Sequence, residues 1–335
     1  MTIAFAPLTD PKDTRAYWRS ARERACYAVW GQNTPPSFLP DTIELNWDAG
    51  YIPTGASHMH RYTITNPGGR TGGSVAYGHL LTPTIAPVGK LLVWLAGHST
   101  TGWSNYYGQD DGTSILTRML ARGWHVLGFD LPNYGYNPTQ AVVINGSLVT
   151  QTKNTNHAPK GSTAPFDGPP IIRLTLDPII ACFNRVTTDF TFTTIALAGQ
   201  SGGGSTATLV ASVMDRPNIV HYIQFGQPSI TTDDASEWEQ TSINELRAAA
   251  TNGTIGDTAL LGASAANRIT VMHAADADEY VGDKHLAWEA ITARWAPMIA
   301  REFNGSLSFY RKTTGAHGID ATQAAWIETH LATYG

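Results

Sequence analysis

Charge and cysteine are both scarce in this chain. Lysine, arginine, aspartate and glutamate make up only 15% of the 335 residues, with 22 basic against 27 acidic side chains and a net charge of −5. That balance gives no basis for gripping nucleic acid or an anionic bilayer. There are two cysteines, Cys26 and Cys182, and neither belongs to a CxxC pair, so zinc-ribbon and thioredoxin-type sites drop out. Both lie among apolar neighbours in segments that read as helical, and both are expected to be free, buried thiols, with one long-range disulfide as the alternative. No run approaches the ~18 apolar residues of a membrane helix. The first ten residues, Met1 to Asp10, lack the basic start and long apolar stretch of a secretory signal, so the expected location is cytoplasmic by default. No Gly-Lys-Ser/Thr follows the richest glycine turn, and that turn has no G-x-G-x-x-G, which removes the phosphate-loop and dinucleotide readings.

What remains is an ordinary globular composition, 42% hydrophobic and 10% aromatic, long enough for one large α/β domain or two small ones. Residues 11–30 read as a helix with Tyr17, Trp18, Cys26, Tyr27 and Trp30 on a broad apolar face. Thr34-Pro-Pro-Ser-Phe-Leu-Pro breaks that pattern. Residues 1–57 are therefore expected to be an N-terminal helical extension packed on a main domain spanning 58–335. Strands are expected at 60–65 and 74–81, forming a hairpin, and then at 91–95, 124–129, 195–198, 219–225, 268–273 and 307–310. Helices are expected at 115–122, 174–190, 235–250, 284–303 and 322–331. This alternation predicts an α/β fold: a mostly parallel central sheet of about eight strands, helices on both faces and the antiparallel hairpin at one edge. Segments 141–170 and 227–266 are candidate covers. Asn145, Asn252 and Asn304 each begin an Asn-Gly-Ser/Thr sequence, read here as a turn.

The apolar run Ile195–Ala198 passes through Gly199-Gln200-Ser201-Gly202-Gly203 into the helical pattern from Thr206. Strand, tight glycine turn and helix, with serine at the tip, is the context in which G-x-S-x-G carries chemistry. The bland alternative is a glycine turn that only connects strand to helix. A serine hydroxyl needs a base to take its proton and an acid to hold that base. His317, flanked by Gly315-Ala and Gly318 after the last strand, fits the base. His285, His330 and His273 fit less well, lying within helix or strand patterns. Asp278 is the favoured acid, because Val281 can pack down and fix its loop; Asp276 is the runner-up and Asp283 follows. His273 with Asp276 and Asp278 does not have convergent metal-ligand spacing, so no metal site is expected. Two backbone amides are needed for an oxyanion hole. Gly202 is expected to supply one, and the backbone amide of His98, in the Ala96-Gly97-His98-Ser99 loop, to supply the other, with no role assigned to the His98 side chain. Trp103, Tyr106, Tyr107, Tyr134 and Tyr136 follow two of the same strand-end loops and are candidates to line a substrate pocket or simply to pack the rim.

Across residues 58–333 the sequence resembles the α/β-hydrolase superfamily. The resemblance is carried by Ala96-Gly97-His98, the segment Arg122 to Gly135, Gly199-Gln200-Ser201-Gly202-Gly203, Asp278-Glu-Tyr-Val281 and Gly315-Ala-His317-Gly318, with Ser, Asp and His in that superfamily's chain order. It departs at Ala96, where many members have His before the Gly. The resemblance implies ester hydrolysis through an acyl-enzyme on a small-molecule or carbohydrate ester, with no metal or organic cofactor. An amidase or peptidase using the same triad, or an idle binding protein on an inherited fold, are the alternatives. The sequence does not define an oligomeric state.

Overall fold

The most apolar stretches of the chain lie side by side in the middle of one sheet. The computed structural model describes residues 14–48, 50, 52–67, 73–98, 115–144, 146–150, 172–214, 219–225, 269–275, 284–312 and 319–334. Leu91–Leu95 is buried within β4 (Lys90–Leu95). Its two neighbours, β5 (His125–Phe129) and β8 (Thr194–Gln200), are buried along their whole lengths. Strands covered on both faces have no reason to alternate polar with apolar residues, which is why these read as continuous apolar runs.

Around this centre come β1 (Thr42–Glu44), β2 (Ala56–Thr65) and β3 (Val75–Pro83) on one side. On the other are β9 (Ile219–Phe225), β10 (Ile269–Ala275) and β11 (Ser306–Lys312). The strand order is β1-β2-β3-β5-β4-β8-β9-β10-β11. From β5 to β11 every neighbouring pair is parallel. The pairs β1–β2, β2–β3 and β3–β5 are antiparallel.

The sheet is thus mixed, with nine strands among the described residues rather than about eight. The additional strand is β1. Its three residues are exposed or half-exposed, too few and too polar for hydrophobic periodicity to mark them. Polar contacts hold it instead. The Asp41 carboxylate accepts from the Thr65 N–H at 2.6 Å, and Arg61 pairs with Glu44 at 2.6 Å. A separate hairpin, β6 (Ala141–Ile144) with β7 (Ser147–Thr150), opens the 141–170 segment. The rest of that segment, the 227–266 segment and the expected helix at 235–250 lie outside the described residues.

Helices cover both faces. On one face α1 (Arg15–Trp30), α3 (Arg173–Asp189), α4 (Gly202–Val213) and α5 (Lys284–Phe303) share a core with Leu91, Val93 and Leu127. On the other, α2 (Ile115–Ala121) and α6 (Ala321–Tyr334) pack over Leu92, Trp94 and Val126. α1 begins at Arg15 rather than at 11, because Thr14 caps it by accepting the Tyr17 N–H at 3.3 Å. Its buried stripe of Trp18, Ala21, Ala25 and Cys26 belongs to the main core, with Trp18 edge-on to Trp295 at 5.9 Å. The Trp30 indole N–H donates to Asp177 at 2.7 Å, and Arg173 neutralises that buried carboxylate. Both cysteines are buried, and neither is in a disulfide. Among the described residues no helix is long and apolar enough to cross a membrane.

His125 opens β5 at 3% exposure, between the rings of Phe190 and Phe192. Among the described residues neither of its ring nitrogens has a hydrogen-bond partner. Burial, with the imidazoles of His58 and His60 nearby, pushes its pKa down to about 4. The folded protein therefore keeps it neutral, while an unfolded chain takes up the proton near pH 6.5. Its contribution to stability is intact above about pH 6.5 and is lost as pH falls towards 4. In urea titrations between pH 7.5 and 4, the wild type should lose more stability on acidification than His125→Phe. Parallel pH dependences would contradict this.

Candidate active site

Ser201 alone separates the end of β8 at Gln200 from the start of α4 at Gly202. Turning a strand into a helix across one residue forces that residue out of the ordinary regions, and Ser201 has φ 54° and ψ −126°. A side chain in such a conformation costs on the order of 1–3 kcal/mol and persists only where its surroundings impose it. Here they do. A Cβ on Gly203 would overlap the carbonyl oxygen of Leu95, so α4 starts directly against the end of β4. A Cβ on Gly199 would likewise overlap the Gly203 carbonyl. Ser201 itself is half-buried, at the amino end of α4, where free amides and the helix dipole favour negative charge.

The loop after β4 lies between two neighbours. Leu95 pairs with Gly199 on one side and with Phe129 on the other, and the Ala96 N–H donates to the Phe129 carbonyl at 3.0 Å. This brings Gly97 against the serine turn: a Cβ there would lie 2.8 Å from the Gln200 oxygen and 3.0 Å from the Ser201 Cβ. His98 is exposed, with its ring edge-on to Tyr134 at 5.1 Å and 80°.

Tyr134 is held by a loop wired through three buried polar side chains. The Asp130 carboxylate accepts from the Tyr136 N–H at 2.8 Å. The Asn137 amide donates to the carbonyls of Asp130 and Leu131, at 2.9 and 3.1 Å, and accepts from the Tyr77 N–H at 2.8 Å. Asn133, with φ 67°, accepts from the Gln140 N–H at 2.5 Å. This loop turns Tyr134 towards His98 and Tyr136 towards Trp47 and His79, at 5.7 and 5.0 Å. His79 is buried beside Arg61, and both effects push its pKa down to about 3.

Ser201, Gly202, His98 and Tyr134 therefore come together, while Tyr136 joins a different aromatic group. Trp103, Tyr106, Tyr107, Asp276, Asp278 and His317 lie outside the described residues. The strands that lead to the last three are parallel partners and end side by side, Ala275 opposite Lys312. They run in the same direction as β8, so both end at the edge of the sheet that carries Ser201. Sequence reasoning missed Leu131, Asn133 and Asn137. In Pro132-Asn-Tyr-Gly-Tyr-Asn the sequence draws attention to the two tyrosines, and nothing in it marks two asparagines as buried. Among the described residues no cluster of three His, Cys, Asp or Glu side chains is placed to hold a metal ion.

No protein-family model matches the sequence, and no curated protein matches it either. Solved structures do match. The methylesterase BT1017 aligns at a TM-score of 0.63 and 13% identity, over 97% of this chain and 65% of that one. The acetyl xylan esterase from Paenibacillus sp. R4 aligns at 0.55 and 13% identity, over 98% and 97%. An S-formylglutathione hydrolase from Agrobacterium tumefaciens aligns at 0.53 and 12% identity, over 89% and 98%. This chain spans about two thirds of the length of the methylesterase, 65%. At these identities the likeness is one of fold: the chain has the α/β-hydrolase fold.

The backbone at Ser201 generates a prediction that is independent of activity. Ser201→Gly should be about 1–2 kcal/mol more stable than Ser201→Ala, because only glycine removes the Cβ that the positive φ disfavours. Chemical denaturation of the two variants measures this, and an alanine variant at least as stable would contradict it.

Proposed function

We propose that the protein is a serine hydrolase that cleaves a carboxylic ester through an acyl-enzyme. The observation that carries this reading is the strained Ser201 backbone, set between β8 and α4 beside the His98 loop. Strain of this kind is held in place by an array of close backbone contacts, and a turn that merely connected strand to helix would not need it. The names of the structural neighbours, two esterases and an S-formylglutathione hydrolase, favour acyl transfer from oxygen or sulfur over amide cleavage.

In this reading Ser201 Oγ attacks the ester carbonyl carbon while its proton passes to His317. The carbonyl oxygen becomes an oxyanion, met by the N–H groups of Gly202 and His98. The tetrahedral intermediate collapses, the carbon–oxygen bond to the alcohol breaks, and the alcohol leaves with the proton from His317. Water then attacks the acyl-serine by the same route in reverse and releases the acid. Asp278 holds the His317 tautomer and stabilises its charge, with Asp276 as the alternative acid. The substrate is a small-molecule or carbohydrate ester, and the chemistry needs no cofactor.

A panel of p-nitrophenyl esters from acetate to palmitate, together with acetylated polysaccharides and a matched p-nitroanilide, tests this. Ester turnover should exceed anilide turnover, and Ser201→Ala and His317→Ala should each lower kcat/KM roughly 10⁴-fold or more. Asp278→Ala should cost more than Asp276→Ala. Ester hydrolysis that survives in Ser201→Ala would remove the proposal.

A further inference from the structure

We infer that the side chain of His98 is a positioning element of this site: packed against Gly202 and Tyr134, it fixes the peptide whose N–H meets the oxyanion. The inference rests on the serine-hydrolase reading. It concerns the imidazole, whereas that reading uses only the backbone amide of the same residue.

The contact with Gly202 is close. A Cβ built on Gly202 would lie 2.7 Å from His98 Cε1, 3.0 Å from His98 Nδ1 and 3.0 Å from Leu131 Cδ1. The imidazole and Leu131 thus fill the volume that a side chain on the residue after Ser201 would take. Glycine follows Ser201 because residue 98 supplies the bulk. The ring also meets Tyr134 edge-on, and Tyr134 is 5% exposed on the loop held by Asp130, Asn133 and Asn137.

The other end of the residue is fixed as well. Gly97 packs against the Gln200 carbonyl and the Ser201 Cβ so closely that it has no room for a side chain. The Gly97–His98 peptide therefore lies between two anchored points, the glycine against the serine turn and the imidazole against Gly202 and Tyr134. An oxyanion donor acts only within a few tenths of an ångström of its place. A displacement of about 1 Å near a reacting centre typically costs on the order of a hundredfold in rate. Loss of the ring would leave the amide present but without its anchor against Gly202 and Tyr134.

A double-mutant cycle on p-nitrophenyl acetate turnover tests the inference. Gly202→Ala should lower kcat roughly 30-fold with KM changed less than about threefold, because the new methyl displaces the ring that orients the donor. His98→Ala should lower kcat roughly fivefold, and the double variant should lie near His98→Ala, since the new methyl then meets only the movable end of the Leu131 side chain. Tyr134→Ala should lower kcat by roughly the same factor as His98→Ala, and Tyr134→Phe should recover most of that loss. Thermal midpoints of all variants, with KM, separate misplacement of the donor from general loosening. Losses in kcat that simply multiply across the cycle, or Tyr134→Ala turning over at the wild-type rate, would overturn the inference while Ser201-dependent hydrolysis stands. Absence of Ser201-dependent hydrolysis in the wild type would overturn the hydrolase reading, and the inference with it.

Discussion

The first turn of α4 lies so close to the ends of β4 and β8 that backbone meets backbone, and the candidate site is built on that approach. Gly203 sits against the Leu95 carbonyl and Gly199 against Gly203, which leaves one residue, Ser201, to make the whole turn. The same approach brings Gly97 onto the serine turn and places His98 over Gly202. A side chain at 199 or 203 would push the helix away from the sheet, and Ser201 could then relax into an ordinary conformation. The glycines therefore act on the candidate site through geometry: they allow the compression that keeps a serine strained at the sheet edge.

The rest of the fold supplies the stiffness this compression needs. The three strands beneath the site, β5, β4 and β8, are buried throughout apart from Lys90 and carry apolar cores on both faces. α1 braces α4 from behind: the Arg22 guanidinium donates to the Ser212 carbonyl at 3.2 Å, and the Cys26 thiol donates to that of Val213 at 3.5 Å. A buried Trp18 ties the same helix into the core. The carboxy end of α4 is thereby anchored, and its amino end has no slack.

Much of this architecture is legible in the sequence. Leu91–Leu95 and Ile195–Ala198 stand out because strands buried on both faces need unbroken apolar runs. The expected helix 284–303 coincides with α5, and the hairpin near 60–81 with β2 and β3. β1 was not legible, since three half-exposed residues held by Asp41 and by the Arg61–Glu44 pair have no periodicity to read. At the site, the Ser201 turn shows through because strand, glycine and helix patterns meet there. The division between Tyr134 and Tyr136 does not, because it depends on a left-handed Asn133 and on buried asparagines inside a loop. The use of the His98 ring as the missing side chain of residue 202 is a contact across three strand ends, and no local pattern encodes it. The choice between Asp276 and Asp278 rests on an expected loop, where side-chain direction follows no sequence period.

The central claim is that Ser201 is an activated nucleophile. The most direct measurement is to treat the folded protein with a fluorophosphonate and locate the modified residue by peptide mass spectrometry. The account predicts a single adduct, on Ser201, absent from Ser201→Ala and formed far more slowly in His317→Ala. No adduct on the folded wild type, or an adduct on another residue that survives in Ser201→Ala, would contradict it.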